Sequence, residues 1–196
     1  MIDHKNKFIF IHIPKCAGNS IKPCLGIPKF PGDHSKIKDA KYVDSIEGDF
    51  ARELKYFKFT FVRNPWDRFL SAYFYLKNGG MHNKPDLYTK KQIDQYDSFK
   101  KFILEAPFFE YVHFQPMFDR IEIDGKDQMD FVGKTENLQE DFHTVCGKIG
   151  VACQRLSREN SSNHEHYTEC YDDETRNFIA HKYAKDVEYF GYKFGE

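Results

Sequence analysis

Residues 8–13 read FIFIHI, and the way this run stops constrains the fold more than any other feature of the chain. Bulky, uncharged side chains fill successive positions. Both faces of the segment therefore need cover, as in a strand buried inside a sheet. We read residues 6–13 as that strand, bounded by Pro14. Lys15, Gly18 and Ser20 follow, and apolar character resumes at Ile21. The pattern is a strand, a tight loop and a short helix over 18–25, disturbed at Pro23.

A strand, loop and helix in this order suit an anion. A glycine lets backbone N–H groups come close to it, and the helix start adds a positive dipole end. Lys15 contributes a point charge, while Asn19 and Ser20 contribute further donors. Cys16 and Ala17 complete the loop, Cys16 as a bystander rather than a nucleophile, because no base partner is evident. The triphosphate-binding order G-x-x-x-x-G-K-S/T is absent, since Lys15 precedes Gly18. Taken alone, the segment is also compatible with an ordinary strand-to-helix turn carrying a surface lysine.

The remaining elements follow from the same signals. Residues 56–62, YFKFTFV, form a second aromatic and β-branched strand. Asn64 is placed as an N-cap with Pro65 at the first helical position, and Trp66, Phe69, Leu70, Tyr73 and Lys77 fall at helical spacing. Gly79–Gly80 stops that helix. Residues 81–96 are polar and read as a surface excursion; 97–106 read as helix, 128–133 as a third strand and 137–149 as another helix. Residues 26–50 and 156–170 read as loop, and 172–190 as one long final helix. Strands separated by helices predict an α/β fold with a mainly parallel central sheet flanked by helices.

The chain has 196 residues, enough for one domain spanning 1–196. A formal net charge of −1 gives nothing global to attract nucleic acid, so any anion site must be built locally. Five cysteines, odd in number and without C-x-x-C spacing, suggest neither a disulfide framework nor a zinc site. No signal-peptide or membrane-spanning pattern is visible, so a reduced, cytoplasmic protein is expected.

A second anion-binding feature closes the second strand. Arg63 sits at the strand end and Ser71 follows eight residues later on the next helix. A guanidinium fork with a nearby hydroxyl suits a phosphate monoester. Two anion sites, one for each end of a single ligand, are the simplest reading of the pair.

These segments resemble a known family. I-P-K-C-A-G-N-S and F-V-R-N-P-W-D-R-F-L-S-A-Y are similar to the paired motifs of the sulfotransferases, P-K-x-G-T-T/S and R-x-P-x-x-R-x-x-S-x-Y. D-F-V-G-K-T-E-N-L over 130–138 and D-V-E-Y-F-G-Y-K-F over 186–194 extend the resemblance along the chain. The branch most resembled is that of the carbohydrate enzymes, the heparan sulfate 2-O- and HNK-1-type sulfotransferases and their small bacterial relatives. The resemblance implies a P-loop-NTPase-like sulfotransferase fold and a donor, 3′-phosphoadenosine 5′-phosphosulfate (PAPS), released as 3′,5′-ADP. It implies that Lys15, Cys16, Ala17, Gly18, Asn19 and Ser20 surround the 5′-phosphosulfate, that Arg63 and Ser71 hold the 3′-phosphate, and that Lys134 adds charge near the nucleotide. Asn19 departs from the threonine usual at its position, which puts a hydroxyl contact there in doubt.

The acceptor hydroxyl then needs a base, and the candidates are His34, Glu53, Asp33 and His113. His34, in P-G-D-H-S-K, resembles the G-H-x-S segment that carries the catalytic histidine of the 2-O branch. Its imidazole also titrates in the useful range. His113, in Y-V-H-F-Q-P, is a candidate acceptor contact. His164 and His166 lack a completing ligand set, so no metal is expected. The implied acceptor is a small molecule or oligosaccharide, including a glycolipid at a membrane surface; no nucleic acid is implied, and oligomeric state is not legible. Two other classes stay open: a P-loop nucleotide kinase or NTPase, and a non-catalytic nucleotide-binding module.

Overall fold

The computed structural model describes residues 1–27, 36–37, 55–157 and 166–196. Most of the loop expected over 26–50, and the centre of that over 156–170, lie outside the described residues. The strands are β1 (Ile2–Asp3), β2 (Phe8–Ile11), β3 (Phe57–Val62), β4 (Glu122–Ile123), β5 (Lys126–Asp127) and β6 (Phe131–Lys134). The helices are α1 (Gly18–Cys24), α2 (Pro65–Lys77), α3 (Lys84–Ile93), α4 (Phe99–Glu105), α5 (Phe118–Ile121), α6 (Leu138–Ile149), α7 (Asp173–Lys182) and α8 (Ala184–Phe190).

A four-stranded sheet in the order β1-β2-β3-β6 forms the centre of a mixed α/β fold with flanking helices. β2 pairs in parallel with β3, Phe8 opposite Phe57 and Ile11 opposite Thr60. β3 pairs in parallel with β6, Phe59 opposite Phe131 and Val62 opposite Lys134. Only β1 is antiparallel, on the outer edge of β2. The mostly parallel sheet expected from alternating strands and helices is therefore present.

The chain divides into two compact units. One comprises Met1–Arg63 and Met117–Glu159, the other Asn64–Pro116 and Asn160–Glu196. In the first, all four residues of β2 are buried, as an uninterrupted apolar run requires of an inner strand. The Phe10 and Phe59 rings stack 4.9 Å apart across the β2–β3 pair. Thr60, fully buried, donates its hydroxyl to the Ile11 carbonyl at 2.7 Å, so its polar atom is satisfied inside the sheet. α6 packs against β3 and β6, burying Phe142, Val145, Cys146 and Ile149 at helical spacing. Gly133 lies opposite Phe61 in the β3–β6 register, and a Cβ there would stand 2.5 Å from the Phe61 ring.

The second unit is built on aromatic packing and capped helices. Phe69 of α2 meets Phe102, Phe108, Phe114 and Tyr183 with ring centroids 4.8 to 6.2 Å away. The Asn64 side chain accepts from the Trp66 N–H at 3.2 Å and donates to the Lys193 carbonyl at 2.8 Å. The cap predicted from sequence thus also ties the C-terminal segment down. α7 opens with a capping box between Asp172 and Thr175.

Three expectations need correction. Residues 81–96 are not a plain surface excursion, because α3 lies within them. Asn83 caps it by accepting from Asp86 N–H at 2.9 Å, and Pro85 occupies its first turn. That cap signal was present, but a segment burying only Asp86, Thr89 and Ile93 shows little apolar periodicity. The final helix is broken at Tyr183. The Tyr183 hydroxyl donates to the Phe114 carbonyl and its ring joins the Phe69 cluster, so tertiary anchoring overrides helix continuity there. The third strand begins at Phe131 and ends at Lys134, later than expected. The short β1 and the β4–β5 hairpin were not anticipated; the hairpin turns on Asp124 and Gly125, both at positive φ. No helix among the described residues is long and apolar enough to cross a membrane.

Two outcomes follow from this packing. Gly133→Ala should cost about 1–3 kcal/mol by overpacking against Phe61, seen as a lower urea midpoint; an unchanged midpoint would show that the ring yields freely. Burial, then the neighbouring Cys153 thiol, pushes the Cys146 thiol up to about 12. Cys16 and Cys146 are both 1% exposed, whereas Cys24, Cys153 and Cys170 are partly accessible. Iodoacetamide at pH 8 should therefore modify Cys24, Cys153 and Cys170 and spare Cys16 and Cys146 in peptide mass spectra. Prompt labelling of Cys146 in the folded protein would contradict its protonated, buried state.

Candidate functional site

Parallel strands end together, and ligands of open α/β sheets sit beyond their carboxyl ends. In the first unit, β2 ends at Ile11, β3 at Val62 and β6 at Lys134. Val62 and Lys134 are register partners, and β2 lies on the other side of β3. The residues that leave this one edge are therefore the 12–17 loop, Arg63, and Lys134 with the turn after it. Lys15, Arg63 and Lys134 bring three cationic side chains to it, all half-buried. Asp130, the acidic residue near β6, belongs to the opposite end, where its carboxylate lies 3.0 Å from the Lys58 ammonium.

The 12–17 loop has an unusual backbone. Lys15 has φ 66° and Ala17 has φ 59°, and neither is glycine. Left-handed conformations cost non-glycine residues about 1–2 kcal/mol each. Such strain persists only where the surroundings over-determine it, and it concentrates at functional sites. Left-handed residues in a tight loop also turn successive N–H groups into an anion-binding concavity. Residue pairs of this kind are not legible from letter order, so the sequence alone gave no sign of them.

Contacts from Arg63, Met117 and His12, among the described residues, bear on the loop. The Arg63 Nη1 group donates to the Lys15 carbonyl at 3.3 Å. Cys16 is buried with its Sγ 3.9 Å from the Met117 sulfur, and its N–H donates to the Ile13 carbonyl at 3.3 Å. Gly18 lies against His12, whose Nε2 would be 2.0 Å from a Cβ at position 18. The loop then passes into α1, where the Ala17 carbonyl accepts from both Ser20 N–H at 2.9 Å and Ile21 N–H at 3.1 Å. Asn19 is exposed and Ser20 buried. Backbone N–H of Ser20 is thus engaged within the helix. On the far side of the edge, the Asp141 carboxylate accepts from Lys134 N–H at 2.6 Å and from the Asn137 amide at 3.0 Å, fixing the turn after β6.

The remaining candidate residues are described each within its own unit. Ser71 belongs to the second unit, buried in the middle of α2. His113 also belongs to the second unit. Its carbonyl accepts from the Arg68 Nη1 group at 3.2 Å and its ring lies 5.3 Å from that of Tyr75. Arg68 was not singled out from sequence, although it stands in the second motif. It is 1% exposed, donates a second bond to the Gln115 carbonyl at 2.7 Å, and lies 5.7 Å from the Tyr183 ring centroid. It therefore organises the interior of the second unit. His34, Asp33, Glu53 and His164 lie outside the described residues. His166 shares a 2.7 Å hydrogen bond with Thr168, and no metal-binding group of three ligands occurs among the described residues. His12 was also missed; a lone histidine in an apolar run carries no signal of what it packs against.

A model of the sulfotransferase family matches residues 1–193. Over 112 residues the chain is 30% identical to an uncharacterized protein of Archaeoglobus fulgidus, an alignment covering 57% of this chain and 82% of that one. No solved structure matches. The family match covers the braced loop, Arg63 and Lys134 alike, and the protein is a member of the sulfotransferase family, a transferase of sulfuryl groups.

Proposed function

We propose that this sulfotransferase takes its sulfuryl group from PAPS and delivers it to an acceptor hydroxyl on a carbohydrate, releasing 3′,5′-ADP. The observation that carries the reading is the 12–17 loop, strained at Lys15 and Ala17 and braced by Arg63, at the carboxyl edge of the parallel strands. Its donor set is cationic and rich in backbone N–H groups, which fits a ligand bearing phosphates and sulfate. When bound, PAPS supplies the sulfuryl group together with a phosphate leaving group.

The residues divide the work by chemistry. In-line transfer requires acceptor oxygen, sulfur and leaving oxygen to be held in a row while negative charge builds on the leaving phosphate. Lys15 stabilises that charge, and the loop N–H groups assist it. Gly18, Asn19 and Ser20 complete the cradle. Arg63 has five N–H donors, so bracing the Lys15 carbonyl is compatible with pairing a phosphate. Lys134, two strands along the same edge from the loop, adds positive charge. Three assignments come from the sequence: Ser71 on the 3′-phosphate, His34 as the base that takes the acceptor proton, and His113 at the acceptor.

Lysine before glycine, in place of G-K-S/T, favours this donor over a triphosphate. Calorimetry should find 3′,5′-ADP bound more tightly than ATP with Mg²⁺; the reverse order would favour a nucleotide kinase. With labelled PAPS and a panel of oligosaccharides, Lys15→Ala should lower transfer by about 10²-fold or more. His34→Ala should remove most transfer with the melting temperature unchanged. Near wild-type turnover in either variant would strike that residue from the mechanism. Arg63→Ala should weaken 3′,5′-ADP binding at least about tenfold more than 5′-AMP binding, the loss expected for one charged bidentate contact. Equal losses for the two nucleotides would restrict Arg63 to its loop contact.

A further inference from the structure

His12 is the first residue beyond β2 and is 7% exposed. Its backbone is fixed from behind, because β2 is paired on both sides, with β1 and with β3. Its ring reaches across the loop to Gly18. A Cβ built at Gly18 would stand 2.0 Å from Nε2, 2.1 Å from Cδ2 and 2.9 Å from Cε1 of His12. Three ring atoms thus occupy the space of one missing methyl group.

This changes the reason for the glycine. From sequence, Gly18 serves to let backbone N–H groups approach a ligand. Yet Gly18 is the first residue of α1 and is absent from the glycines with positive φ. Its backbone is one that alanine adopts without strain. What forbids a side chain at this position is the imidazole. The ring also meets the chain at a useful place, immediately after the left-handed Ala17. Arg63 restrains the loop at Lys15, Met117 restrains it at Cys16, and His12 restrains it at Gly18. The third contact comes from the residue at which β2 passes into the loop.

We infer that His12 is a positioning residue of the donor loop: its imidazole fills the space over Gly18 and sets the loop backbone in the register that binds the nucleotide. This rests on the donor reading given above. His12 touches the loop and acts through it.

The test is 3′,5′-ADP affinity by calorimetry on the full chain, well below every melting temperature, for wild type, His12→Ala, His12→Asn, Gly18→Ala and the His12→Ala/Gly18→Ala pair. Gly18→Ala should weaken binding about tenfold or more, the size of a moderate overpacking penalty. His12→Ala and His12→Asn should each weaken it about three- to tenfold, the range for a lost packing contact transmitted to a binding loop. The pair should bind more tightly than Gly18→Ala alone, because removing the ring makes room for the new methyl group. A His12→Ala or His12→Asn protein that melts lower yet binds 3′,5′-ADP as wild type does overturns the inference, since a purely structural histidine predicts that result. A pair that binds no better than Gly18→Ala overturns it as well. Wild-type protein that fails to bind 3′,5′-ADP overturns the donor reading and this inference together, whereas wild-type binding with unaffected His12 variants overturns this inference alone.

Discussion

The parallel pairing of β2 with β3, and of β3 with β6, is the constraint on which the candidate site depends. A parallel ladder fixes direction, so three strand ends must leave on one edge. The register then fixes which residues those are. With Ile11 opposite Thr60 and Val62 opposite Lys134, the loop after β2, Arg63 and Lys134 share that edge. Shifting β3 by one residue would exchange its two faces and withdraw the buried Phe59 and Phe61 rings from the core. The hydrophobic pattern that stabilises the sheet therefore also places the charges.

The loop shows how such an edge is made specific. Left-handed backbone at Lys15 and Ala17 is unfavourable in isolation and would relax in a free peptide. It holds because each contact uses a group held by its neighbours in the first unit: Arg63 just after β3, Met117 just before α5, and His12 where the loop leaves β2. Strain and bracing belong together here. A loop with the same letters on a looser scaffold would not keep the same shape.

The second unit uses buried polar side chains to fasten its backbone, although the buried Arg68 Nε atom has no hydrogen-bond partner among the described residues. Arg68 is almost fully buried and directs two N–H groups to the His113 and Gln115 carbonyls. Tyr167 accepts from the Gly195 N–H at 2.7 Å and donates to the Glu196 carbonyl at 3.1 Å. Trp66 donates its indole N–H to the Arg176 carbonyl at 2.9 Å. Arg68 and Tyr167 thereby fasten backbone outside the regular elements, while Trp66 ties α2 to α7. Trp66 and Arg68 stand in the second motif, so part of that motif's pattern is explained by folding rather than by ligand binding.

Long and strongly patterned segments were legible in the sequence: β2 from its uninterrupted apolar run, β3 from its aromatic alternation, and α2 from Asn64, Pro65 and the helical spacing behind them. So was the combination of a lysine-bearing loop and Arg63 that marks the family. Segments whose state depends on distant partners were not legible. α3 is polar because most of it faces water, and the final helix breaks where Tyr183 reaches Phe114. The two-residue β1 exists only because β2 offers it an edge. By itself, then, the sequence determined the α/β class and the residue types gathered for an anion, because periodicity and composition are local properties of the chain. Only the tertiary structure decided the left-handed turns at Lys15 and Ala17, the arginine that braces a carbonyl, and the histidine that takes the place of a side chain at Gly18. Each of these depends on atoms that long-range pairing brings together.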